Sequence, residues 1–214
     1  MRLRLITKPA VEPVSVDEVK AFVRQDLTDD DTLFRSLIAA AREHVEKLAG
    51  RVMISQAWEG VLDGWPGGGA SAGDGWFSGV IEAPVTFARE YGDTIDIPMG
   101  PIQSATVSTI DEDGTKTAFS GAYLDKMDGS SARLILKRDQ SWPDLARDQA
   151  GVVVSFVAGY GNTAVDVPGD LKAAIRILVA HWYDNRVPVA EQATAPVPHT
   201  LSAILAPYRS LNLW

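Results

Sequence analysis

The hydrophobic period of this chain changes twice, and those changes constrain its fold more than any other feature. From Ser15 to Gly50 apolar residues recur every three or four positions; from about 52 to 158 they recur closer to every second one; after Pro168 the longer spacing returns. The first period belongs to amphipathic helices and the second to half-buried strands. The expected class is therefore α+β: a helical core, made of an N-terminal antiparallel helix pair and a C-terminal helix, with a large antiparallel β-rich insertion. Residues 1–51 hold the N-terminal helices, 52–158 the insertion, 159–187 the core helix and 188–214 a linker and C-terminal segment, as one structural domain with an insertion.

Local signals sharpen this outline. In "SVDEVKAFVRQD", Ser15 and Glu18 have the spacing of a capping box, and Val16, Val19, Phe22 and Val23 follow on one helical face. Asp29, Asp30 and Asp31 suit the positive N-terminus of a second helix. Its stripe is Phe34, Ile38, Ala41, Val45 and Leu48, and Gly50 is a natural stop. The short "DLTDD" link predicts that the two helices lie antiparallel. A strand is expected within 52–65, with others near 76–82, 93–97, 101–110, 115–119, 132–137 and 151–158. "DEDGT" at 111–115 reads as a hairpin turn, with Asp113 and Gly114 supplying positive φ angles. Pro168 fits the start of a helix whose stripe is Leu171, Ile175, Leu178, Val179 and Trp182, ending near Arg186. A polar, Ala- and Pro-rich linker leads to a short amphipathic helix from His199, broken at Pro207.

At 214 residues, 46% apolar and 22% charged, the chain can bury a sizeable core. No apolar run approaches the roughly 18 residues of a membrane span. Lys8 and Pro9 interrupt "MRLRLITKPAVEP" before a signal-peptide core forms, so synthesis in the bacterial cytoplasm is expected. The absence of cysteine removes disulfides, thiol catalysis and Cys-zinc sites. Net charge is −8, and the twelve acids of residues 55–130 face only Arg89, Lys116 and Lys126. A sequence-independent DNA binder needs many cations to displace counterions from phosphates. This composition instead suits a surface that DNA passes without sticking.

The motifs that suggest chemistry lack its context. "GASAG" at 69–73 matches a nucleophile elbow, but turn-like segments flank Ser71 where a strand and a helix are required. A hydrolase here would have to rely on Ser71 or on carboxylates such as Asp63 and Asp74. "DEDG" opens like a calcium loop, yet no acid follows at the closing position. His44, His181 and His199 have no acidic or His partner at ligand spacing. The expectation is no catalytic residue, no cofactor, no metal and no enzymatic activity.

"AHWYDNR" at 180–186 is the densest polar-aromatic cluster. One reading is a core Trp182 with a polar helix end, Arg186 suiting the negative C-terminus. The other is an interface, because Trp, Tyr and Arg are enriched at binding hot spots. Chemistry alone leaves both open.

Several blocks carry a family resemblance, in this order: "SLIAAAREHVE", "GRVMISQ", "LDGWP", "FVAGYG", "VPGDLKAAI" and "HWYDNR". From Val14 to Arg209 the chain resembles the head–tail connector (adaptor) proteins of long-tailed phages and of phage-derived gene transfer agents. It departs from them in the "GGGASAGDG" loop and in the length of the β-rich middle. The resemblance implies a ring, of about twelve copies, in the neck of a virion or phage-like particle. Such a ring sits under the portal protein and above a stopper or tail-completion protein, and double-stranded DNA passes through its lumen without specific binding. It further implies that the C-terminal segment docks on the portal, and that Trp182 is core while Tyr183 and Arg186 meet a neighbour. The expected contact set is Tyr183, Asn185, Arg186, Leu201, Leu205, Tyr208, Arg209, Leu211, Leu213 and Trp214. Independently of any family, a Leu- and Trp-rich tail is poor as a solvated end and makes sense as a segment that orders on binding. A transient assembly chaperone of the portal is the alternative, with the soluble hydrolase as a third.

Overall fold

The structure, a computed structural model, describes residues 1–66, 93–127, 131–185 and 199–208. The chain divides into two units, one of Met1–Lys8 with Gln56–Ala158 and one of Pro9–Ser55 with Gly159–Trp214. The class is the expected α+β.

In the first unit the strands are β1 (Arg2–Thr7), β2 (Gln56–Leu62), β3 (Thr94–Ile97), β4 (Ile102–Ile110), β5 (Lys116–Phe119), β6 (Ala122–Met127), β7 (Ser131–Leu136) and β8 (Val152–Ala158). They form a sheet of order β1-β2-β8-β4-β5 and a second of order β3-β7-β6, with every pairing antiparallel. β8 is central because "VVVSFVA" is apolar on both faces: Val152, Val153, Val154, Phe156 and Ala158 are all buried. It pairs with β2 from Gln56↔Ala158 to Leu62↔Val152, and with β4 from Ile102↔Ala158 to Thr109↔Val152.

Most of the strands expected from alternation are present; the one near 76–82 lies outside the described residues. Two strands were not foreseen. β1 is an edge strand whose residues are nearly all exposed, so no buried face leaves its mark on "RLRLIT". β6 follows β5 after a short turn and pairs with β7. The strand expected from residue 52 starts at Gln56 instead, because Val52, Met53 and Ile54 are buried together in the segment that precedes it. At 111–115 the expected turn forms, but Gly114 alone adopts positive φ (93°). The Gly114 amide donates to Asp111 O (2.9 Å) and the Asp111 amide to Thr115 O (3.0 Å), a three-residue hairpin loop in which one left-handed residue suffices.

The helical unit contains α1 (Val16–Val23), α2 (Asp31–Ala49), α3 (Gly169–Asp184) and α4 (His199–Leu205). The α1 capping box is complete: the Glu18 amide donates to Ser15 Oγ (3.1 Å) and the Ser15 amide to Glu18 Oε2 (2.7 Å). Gly50 ends α2 in the left-handed conformation, φ 64°. Phe34, Ile38, Ala41 and Val45 of α2 and Leu171, Ala174, Ile175, Leu178 and Val179 of α3 make the centre of the core. Burying each larger side chain contributes about 1.5–3 kcal/mol. Phe22 and Leu48, expected on the core faces, are instead exposed at the edges of their stripes.

Two of the quoted sequence blocks meet here. The Tyr160 amide donates to Met53 O and the Ser55 amide to Gly161 O, both at 2.9 Å, so "VMIS" and "AGYG" lie side by side. Gly159 has φ 140°, and a Cβ there would stand 2.6 Å from the Ser55 nitrogen. That close backbone approach requires glycine.

Candidate interaction surfaces

The C-terminal turn of α3 carries the aromatic cluster. Trp182 packs against the helical core and meets the His44 ring edge-on at 6.0 Å. Tyr183 lies on the ring of Phe34 (centroids 4.6 Å apart), donates its hydroxyl to Asp30 Oδ2 (2.6 Å) and accepts from Gln25 Nε2 (3.4 Å). One face of Tyr183 and its polar tip are therefore engaged within the chain. Asn185 is exposed and donates its side-chain amide to the His181 carbonyl at 2.7 Å, closing the end of the helix. Arg186 lies outside the described residues.

Leu201 and Leu205 are fully buried in the core, and Ile204 and Tyr208 pack against it. The Leu201 and Leu205 side chains thus anchor α4 to its own unit and present no apolar surface to a partner. The Tyr208 hydroxyl faces Asp170 Oδ2 at 3.4 Å; burial first, and then the Asp170 carboxylate, push its pKa up. Arg209, Leu211, Leu213 and Trp214 lie outside the described residues.

A second feature of this unit escaped the pattern reading. Arg42, on the core face of α2, is only 5% exposed. It donates to Glu12 Oε2 (2.9 Å) and Glu46 Oε2 (2.8 Å), while the other Glu46 oxygen accepts the Met53 amide (2.9 Å). Burial works against the Arg42 charge, but Glu46 and Glu12 outweigh it and hold the pKa above the ordinary value. An arginine among the apolar positions of α2, four residues before a glutamate, gives no warning of such a network.

In the β unit, Trp65 stacks on Trp142 (centroids 4.5 Å apart), Phe119 closes against both, and Trp65 Nε1 donates to Pro143 O at 2.7 Å. The "LDGWP" tryptophan is thus a packing residue. Glu59 on β2 accepts from Arg4 Nη2 on β1 (2.6 Å) and from Lys116 Nζ on β5 (2.5 Å). Those hydrogen bonds hold its carboxyl below the usual carboxylate range.

The residues weighed for chemistry are occupied structurally or lie elsewhere. Asp63 accepts from the Ala150 amide (3.0 Å) and pairs with Arg2; Ser71 and Asp74 are outside the described residues. Asp113 caps the Thr115 amide at 3.0 Å. Among the described residues no three His, Cys, Asp or Glu side chains stand together as a metal site, and no helix is long and apolar enough to cross a membrane.

The arrangement is that of a helical unit and a two-sheet unit whose polar side chains serve caps, turns and ion pairs. No family model matches the sequence, and no curated protein matches it. Solved structures do. The chain is similar to a chain in the neck of an empty gene transfer agent particle, with 21% identity and TM-score 0.76, over 100% of this chain and 98% of that one. It is similarly close to chains in the virion of a native gene transfer agent particle (20%, TM-score 0.74) and in the neck of a native particle (20%, TM-score 0.69), at the same coverage. The chain has the fold of a neck component of such particles, the same class of particle to which the sequence blocks point.

Proposed function

We propose that this chain is a structural head–tail connector. Copies close into a ring in the neck of a phage-like particle, beneath the portal protein and above a stopper or tail-completion protein, around the channel through which DNA leaves. The observation that carries this reading is the likeness to neck chains over 100% of this chain and 98% of each of theirs. One of those necks was computed with sixfold and another with twelvefold symmetry, which fits a cyclic assembly of about twelve copies. Such a ring needs unlike patches that meet head to tail. The acidic balance of the chain suits a channel wall that DNA passes without adhering.

In this reading Asn185, at the end of α3, and Arg186, next in the chain, face a neighbouring molecule together with Tyr183. The segment Arg209–Trp214, with Leu211, Leu213 and Trp214, docks on the portal, while Leu201, Leu205 and Tyr208 hold its base to the helical unit. Electron microscopy of particles carrying a tagged chain tests the proposal: density for the tag between portal and tail supports it. A chain found elsewhere, or absent from finished particles by mass spectrometry as a transient chaperone would be, overturns it.

A further inference from the structure

The helical unit carries a groove of about 420 Å³ lined by Glu12, Val14, Ser15, Val16, Arg35 and Ile38. Its floor is apolar, from Val14, Val16 and Ile38. Arg35 is exposed and makes no ion pair among the described residues, whereas Glu12 is already bound to Arg42. The same unit also carries the opposite kind of feature. The loop between α1 and α2 presents Leu27 at 62% exposure, flanked by Asp26 and Asp29, both exposed and unpaired among the described residues. The other two acids there are engaged, Asp30 by Tyr183 and Asp31 by Lys20 at 2.9 Å.

The geometry points to a head-to-tail contact between copies, in which Leu27 of one copy enters the Val14–Val16–Ile38 groove of the next while Asp26 and Asp29 meet Arg35. Three relations carry it. A protruding leucine matches an apolar recess, where two protrusions would exclude each other. Unpaired anions beside the leucine match an unpaired cation beside the recess, so the contact is selective for one orientation. The two patches are different parts of the surface, so their union is heterologous and closes into a ring when the rotation fits. The groove, more than ten times the roughly 30 Å³ share of one water molecule, has room for a side chain with flanking backbone. The inference deepens the connector reading and rests on it.

Two experiments on the full chain decide it, with ring formation, alone or on portal protein, followed by native mass spectrometry. Arg35→Glu is expected to reduce assembly at least tenfold, and the combination with Asp26→Lys and Asp29→Lys to restore it, because the charges are exchanged and not removed. Unchanged assembly of Arg35→Glu, or no recovery in the combined variant, overturns the contact. Since the chain lacks cysteine, the double variant Leu27→Cys, Val16→Cys is expected to give a ladder of disulfide-linked oligomers under oxidation. Rings that run only as monomers on a non-reducing gel overturn it too. Failure of the unsubstituted chain to form any ring sinks the connector reading itself, a result distinct from loss of the contact within an intact ring.

Discussion

Tyr183 lies on Phe34 with ring centroids 4.6 Å apart, joining the last turn of α3 to the first turn of α2. The stack explains why a tyrosine stands beside Trp182: the ring contributes burial and the hydroxyl reaches Asp30. Tyr183→Phe keeps the stack and removes a hydrogen bond to a charged group, at an expected cost of about 1.5–3 kcal/mol. Tyr183→Ala removes both and costs more, about 3–5 kcal/mol if the space stays empty. Urea unfolding of the two variants checks the order. Equal stability of Tyr183→Phe and the unsubstituted chain would mean that the Asp30 bond contributes nothing.

Glu59 supplies a pH dependence with a definite sign. Its pKa in the folded chain lies below the unfolded value because Lys116 and Arg4 donate to the carboxylate. The stabilisation is therefore fully present above the unfolded pKa of about 4.3 and is lost as pH falls through the lower folded value. Both cations are largely exposed, so solvent screens the interaction and its contribution is expected near 1 kcal/mol or below. Glu59→Gln should flatten the stability-against-pH curve below about pH 4.3 and leave its neutral-to-alkaline part parallel to that of the unsubstituted chain. Denaturant midpoints measured from pH 3 upward read this directly; parallel curves throughout would refute it.

The glycines Gly50 and Gly159 look alike in sequence, each at the end of an element, and differ in space. Gly50 has φ 64° with nothing within 4 Å of an added Cβ. An alanine there pays only for the left-handed backbone, about 1 kcal/mol. At Gly159 the added Cβ would meet Ser55 N at 2.6 Å and Ile54 C at 2.7 Å, both backbone atoms with no side chain to swing aside. Gly159→Ala should cost several times as much and disturb the 53–55 to 160–161 pairing. Hydrogen exchange at the Ser55 and Tyr160 amides checks it, with faster exchange expected in Gly159→Ala and unchanged rates in Gly50→Ala.

The helices were legible because their signals are local: Ser15 and Glu18 cap within four residues, and the α2 and α3 stripes repeat within each helix. β8 was legible for the same reason, as a nearly continuous apolar run broken only by Ser155. What was not legible depends on partners distant in the chain. β1 owes its conformation to β2, more than fifty residues away, and buries almost nothing that would pattern it. Trp65 and Trp142 find each other only after the sheets form. Leu201 and Leu205 entered the expected contact set through the family resemblance, by their place in the C-terminal segment, and nothing local to that short helix shows that the chain's own core covers both. The Asp26–Leu27–Asp29 loop carried no motif, and its exposure emerged only once α1 and α2 were placed.

In the connector reading, that burial separates an anchoring part of the C-terminal segment from a docking part. Truncation after Tyr208 removes Arg209–Trp214 and leaves Leu201, Leu205 and Tyr208 in place. A purely docking role for those six residues predicts a stability change of less than about 0.5 kcal/mol. Portal association should fall sharply. Truncation before His199 additionally strips two fully buried leucines from the core, so it should cost about 3–6 kcal/mol at about 1.5–3 kcal/mol for each. Calorimetry and portal pull-down on the same two variants separate anchor from contact. Full portal binding by the shorter truncation would place the contact elsewhere, and a large loss of stability in that variant would show that the last six residues belong to the fold.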